Sequence, residues 1–189
     1  MREASFQGLE YVRSLTLDDT FGFWRESEGA DPHWLGIARS RGFETWEEWR
    51  RSYFRPFRME ERSWWLYRVV DPLRTVPRFR GGPFQGWVEQ TYGDAGLTPA
   101  FDVIARRLTE AQNGYVAELK ASYPKATTVI GVLTDDGVVI AEGMHRCSAL
   151  AQAAAEGLPI ATDFRIALGG ELPGGVPLIR KVFKGVTPI

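Results

Sequence analysis

Five consecutive residues, Glu142-Gly143-Met144-His145-Arg146, bring together a carboxylate, a glycine, an imidazole and a guanidinium. Glycine lets a backbone approach a ligand closely, and His145 and Arg146 add side-chain donors, the arginine with a permanent charge. Ser148 adds a hydroxyl just beyond. If this stretch turns into a helix, unpaired N–H groups and the positive end of the helix dipole make it a ready site for phosphate or another anion. The alternative is structural: Gly143 makes the corner, His145 caps or packs, and Arg146 pairs with Glu142 or a neighbouring carboxylate. Arg78 and Arg80 elsewhere in the chain could reach an anionic substrate.

The elements around these residues decide whether they form a turn. Thr127 to Leu133 and Val138 to Ala141 are β-branched runs separated by Asp135-Asp136-Gly137, which predicts a hairpin. Cys147 to Glu156 is rich in alanine and closed by Gly157, which predicts a helix. The order is therefore hairpin, turn, helix. Before it, Pro99 opens a helical stretch to about Ser122, with Phe101, Ile104, Leu108, Tyr115, Val116 and Leu119 as apolar positions and Asn113-Gly114 as a break.

The first half has a different composition. All seven tryptophans lie between Trp24 and Trp87, and Arg39 to Arg80 holds eleven arginines against six acidic residues. Asp31-Pro32 reads as a helix start and Gly42 as its end. Thr45-Trp46-Glu47-Glu48 fits a capping box for a second helix with Trp46, Trp49 and Tyr53 on one face, ended by Pro56. Trp64 to Val70 suits a strand stopped by Asp71-Pro72, and Pro77 to Phe84 a loop facing a site. Aromatics interleaved with arginines would also suit nucleic acid, whose phosphates and unpaired bases they could contact, while the shared face of Trp46, Trp49 and Tyr53 is more typical of a core with solvated arginines opposite.

With 189 residues and a formal net charge of -1, the chain can bury roughly two thirds of its unfolded surface without a staple, and no global charge recruits nucleic acid or a membrane. Cys147 is the sole cysteine, and His33 and His145 are the only histidines, so disulfides and cysteine- or histidine-rich metal clusters are excluded. Met1 to Ser5 does not lead into an apolar run, which predicts a cytoplasmic protein.

Val129 to Pro159, with Glu142-Gly143-Met144-His145-Arg146 at its centre, resembles the ParB/sulfiredoxin superfamily, in which a strand enters a Gly-x-His-Arg turn and an Ala-rich helix. The resemblance implies an α+β fold with a small mixed sheet, here residues 69–189; residues 1–68, outside the resemblance, read from their own helix signals and composition as a helical aromatic-rich extension packed on that core. It implies ATP or another nucleoside triphosphate with Mg²⁺. Gly143, Met144, His145, Arg146, Ser148 and Lys120 would be at the nucleotide, and Glu142 and His145 would be catalytic, with Asp71 or Asp102 as the alternative base to Glu142. The reductases of that superfamily place a cysteine where Met144 stands, and a thioether supplies no thiolate. The expectation is a phosphotransferase acting on a small hydroxyl-bearing molecule, as in the free-serine kinases, with no resident metal ligand set. The alternative is a ParB-like nucleic-acid- or partner-binding protein, although no helix-turn-helix is recognisable after the turn.

Overall fold

The computed structural model describes residues 8–29, 31–134, 136–170 and 172, and the backbone alone of Tyr53, Phe54 and Pro56. Its frame is a six-stranded mixed sheet in the order β1-β2-β6-β4-β5-β3. The strands are β1 (Leu9–Leu15), β2 (Trp64–Val69), β3 (Arg80–Gly81), β4 (Ala126–Thr134), β5 (Gly137–Glu142) and β6 (Asp163–Gly169). β4 and β5 form the expected antiparallel hairpin, while β4 runs parallel to β6 and β3 parallel to β5. The α+β class is therefore as expected.

Helices cover both faces. On one face lie the short α4 (Pro72–Thr75) and α6 (Phe101–Ile104) with α7 (Glu110–Ala121) and α8 (Met144–Glu156). They bury Phe101, Ile104, Val116 and Leu150 against Val129, Ile140, Phe164 and Ile166 of the sheet. On the other face lie α1 (Leu17–Trp24), α2 (Pro32–Ser40) and α3 (Trp46–Phe54). They bury Phe21, Trp24, Trp46 and Trp49 against Leu66, Ile130, Val132, Val139 and Ala141. Alternate residues of β4 and β5 thus serve opposite cores, as the two-residue strand period requires.

The expected division at residues 68 and 69 falls inside β2, and the first 68 residues supply β1 as well as α1 to α3. β1 escapes a periodicity reading because five of its seven residues are exposed on an edge strand. The capping boxes at Thr16 and Thr45, the Asp31 cap with Pro32, and left-handed Gly42 and Gly157 set the helix ends.

One expected break is displaced. α7 runs through Asn113-Gly114, and the chain interrupts its helical course instead between Ile104 and Thr109. Thr109 starts α7 with a capping box to Gln112, which satisfies orphan N–H groups there, so that position is the favoured start. Tyr115, expected on the apolar face, is 51% exposed. No helix among the described residues is long and apolar enough to cross a membrane.

Candidate functional site

Gly143 links β5 to α8 with φ of +103°, a left-handed conformation that other residues adopt only under strain. It also has no room for a side chain, since an added Cβ would overlap Val129 Cγ1 and stand 2.9 Å from Val129 Cβ. The register of β4 against β5 slips between Ile130 and Gly131, next to the pair Ile130–Glu142. Such a bulge re-aims the strand end and its side chain. The first intrahelical bond of α8 runs from Cys147 N to Gly143 O at 2.9 Å, leaving the N–H groups of Met144, His145 and Arg146 ahead of it.

The residues of this turn line a cavity of about 990 Å³ that takes its walls from both helical layers and from the ends of β4 and β5. α8 contributes Met144, His145 and Arg146, and α7 contributes Tyr115. Phe84 and Trp87, the latter in a short helix α5 (Gln85–Trp87), form part of the same wall. The amino-terminal layer contributes Trp24, Glu28, Trp34, Trp49 and Arg50. Two π-helical turns, Arg25–Gly29 and Val88–Tyr92, place Glu28 and Glu89 on the lining. π-turns of this kind are frequent at functional sites.

Two ion pairs dominate its electrostatics. Arg146 Nη2 donates to both carboxylate oxygens of Glu142, while its Nη1 donates to Thr127 Oγ1 and, at 3.2 Å, to Thr128 O. Arg50 donates through Nε and Nη2 to Glu28 Oε2, which also accepts from Trp46 Nε1 at 3.2 Å. The Arg50 guanidinium lies over the rings of Trp49, Trp24 and Trp34, at 3.9, 4.8 and 4.9 Å from their centroids.

Burial pushes the Glu142 carboxyl above its ordinary range, against the pull of Arg146, with Glu28 and Arg50 acting in opposite senses. His145 packs 5.0 Å from Trp87 and 4.8 Å from Tyr115, ring centroid to centroid. Burial lowers its pKa below the ordinary 6.5, so the ring is neutral at pH 7.

The structure brings only part of the expected set together. Glu142, Gly143, Met144, His145 and Arg146 line the cavity, but the Arg146 guanidinium is committed inside the protein, as the structural alternative for this turn held. Ser148 is buried and donates to Met144 O, the usual fate of a serine one turn into a helix. Lys120 reaches Glu156 at 2.7 Å, and Arg80 reaches Asp136 O and Thr98 O beside β3. Neither they nor the exposed Arg78 line the cavity. Pro77 to Phe84 contributes only Phe84.

Sequence reasoning missed Glu28, Arg50, Trp34 and Trp87. Their trace in the sequence was the mixture of Trp and Arg itself. Within it, Trp24, Trp46, Trp49 and Trp64 are buried, so the interleaving that suggested nucleic acid is here a packing pattern. Cys147 is fully buried and its thiol pushed far up by burial, which removes it as a nucleophile. Among the described residues no group of three or more His, Cys, Asp or Glu is placed to hold a metal ion.

Comparison with protein-family models, curated proteins and solved structures found no match. The cavity and its residues therefore carry the functional argument.

Proposed function

We propose that the protein is a nucleotide-dependent enzyme, a phosphotransferase acting on a small hydroxyl-bearing metabolite, and that the cleft between its two helical layers is the site. The observation that carries this reading is that Gly143 and the first turn of α8 line a cavity of about 990 Å³ together with Trp24, Trp34, Phe84, Trp87 and Tyr115. That volume suits a ligand of nucleotide size, and aromatic faces suit its base. The resemblance of the turn to the ParB/sulfiredoxin superfamily supports the same ligand.

A nucleoside triphosphate would supply a transferable phosphoryl group. Its phosphates would meet the N–H groups of Met144, His145 and Arg146 and the positive end of α8. Mg²⁺ would come with the phosphates, which is the common arrangement for that ion. Neutral His145 can donate one hydrogen bond and accept another. Glu142, with its carboxyl pushed up by burial, is the group suited to take a proton from an acceptor hydroxyl. Arg146 holds that carboxylate in place and balances its charge.

The test is thermal unfolding with ATP, CTP, GTP and inorganic phosphate, each with and without Mg²⁺. A binding nucleotide at a hundredfold excess over its dissociation constant stabilises the fold by about 2.7 kcal/mol. If no nucleotide moves the transition, the proposal fails.

A further inference from the structure

The wall contributed by the amino-terminal layer carries a carboxylate built to accept. Arg50 Nε, Arg50 Nη2 and Trp46 Nε1 all converge on one oxygen of Glu28, Oε2. Among the described residues, every donor that reaches this carboxylate lands there, and the group lines the cavity. The guanidinium that holds it is itself locked over the rings of Trp24, Trp34 and Trp49. Side-chain exposure of 8% for Arg50 and 16% for Glu28 leaves little freedom to either. An acceptor held this firmly loses little entropy when a ligand arrives.

We infer that Glu28 reads a sugar hydroxyl of a ribonucleoside phosphate bound in the cleft, with Arg50 as the residue that positions it. This rests on the nucleotide reading above. A carboxylate has no hydrogen to give, so it selects a donor on its ligand. In a nucleoside phosphate those donors are the sugar hydroxyls and any exocyclic amino group of the base. Ser27, the residue before Glu28, lines a smaller cavity together with Thr127 and Arg146, which puts this turn of the amino-terminal layer beside the first turn of α8. Glu28 therefore serves the phosphate end of the cleft, where the sugar lies, whereas the amino group stands on the far side of the base. Pairing with Arg50 neutralises Glu28, so it adds little repulsion toward the phosphates.

The experiment measures dissociation constants of the intact chain for ATP, 2′-deoxyATP and 3′-deoxyATP by titration calorimetry. Wild type should bind ATP about ten- to a hundredfold more tightly than at least one deoxy analogue, the discrimination of a hydrogen bond to a charged acceptor. In Glu28→Ala that ratio should fall to about one. Arg50→Lys should lower the ratio while leaving the affinity for the deoxy analogue in place, a pattern that loss of structure alone would not produce. Equal affinities in wild type, or an unchanged ratio in Glu28→Ala, overturn the inference while leaving the nucleotide reading standing. Where CTP or GTP is the nucleotide that binds, its own deoxy analogues are titrated instead, and absence of binding by all three overturns both. If Glu28→Ala does not fold, the wild-type ratio and Arg50→Lys decide.

Discussion

Arg146 closes on Glu142, four residues before it, across the left-handed glycine that separates β5 from α8. The same guanidinium reaches Thr127 and Thr128 on β4, so one side chain ties two strands to the first turn of the helix. Both partners are largely buried, with side-chain exposures of 18% and 9%. The cleft is shaped by this pair whatever it binds.

Removing one partner should therefore be far worse than removing both. Arg146→Met leaves a buried carboxylate uncompensated and should cost about 3–5 kcal/mol, while adding Glu142→Leu should restore most of the loss. Urea unfolding at pH 7 measures the difference. Equal stability of the single and double variants would refute the coupling.

Gly143 and Gly114 should respond oppositely to alanine. Gly143→Ala forces a side chain into the left-handed region and against Val129, and should cost about 2–4 kcal/mol from backbone strain and overpacking together. Gly114 sits inside α7 with open space around it, and Gly114→Ala should gain about 0.5–1 kcal/mol from helix propensity. Thermal unfolding of the two variants checks both signs.

His145 should make the fold acid-sensitive. Burial lowers its folded pKa below 6.5, so on acidification the unfolded chain takes up a proton before the native one does. Its contribution is fully present above about pH 6.5 and is lost as the pH falls from there toward the lowered folded value. Stability measured from pH 8 to pH 5 should decline through that window in wild type, with a shallower slope in His145→Gln. Identical slopes would show that His145 does not titrate differently on folding.

Lys120 and Arg78 should be silent in ligand binding. Lys120 pairs with a half-exposed Glu156 outside the cavity, and Lys120→Ala should cost under about 1 kcal/mol. Thermal shifts with ATP should be the same in Lys120→Ala, Arg78→Ala and wild type. A shift abolished in either would place the nucleotide elsewhere.

Local physics made much of this protein legible from its residues. The hairpin of β4 and β5, the turn at Gly143, the alanine-rich α8 and the caps at Asp31 and Thr45 depend on propensities and hydrogen bonds that span a few positions. The Thr109–Gln112 capping box was equally readable and marks the true start of α7.

Tertiary structure decided the rest, because it concerns groups far apart in the chain. β1 joins the sheet through pairing with β2, about fifty residues away, and its exposed face carries no apolar period to announce it. Arg146 could have faced a ligand or Glu142, and only packing against β4 selected the second. Arg50, one arginine among eleven between Arg39 and Arg80, became part of the cleft because three tryptophans close around it and Glu28 meets it there. Residue types alone supplied the candidate turn. Long-range packing supplied the wall that faces it.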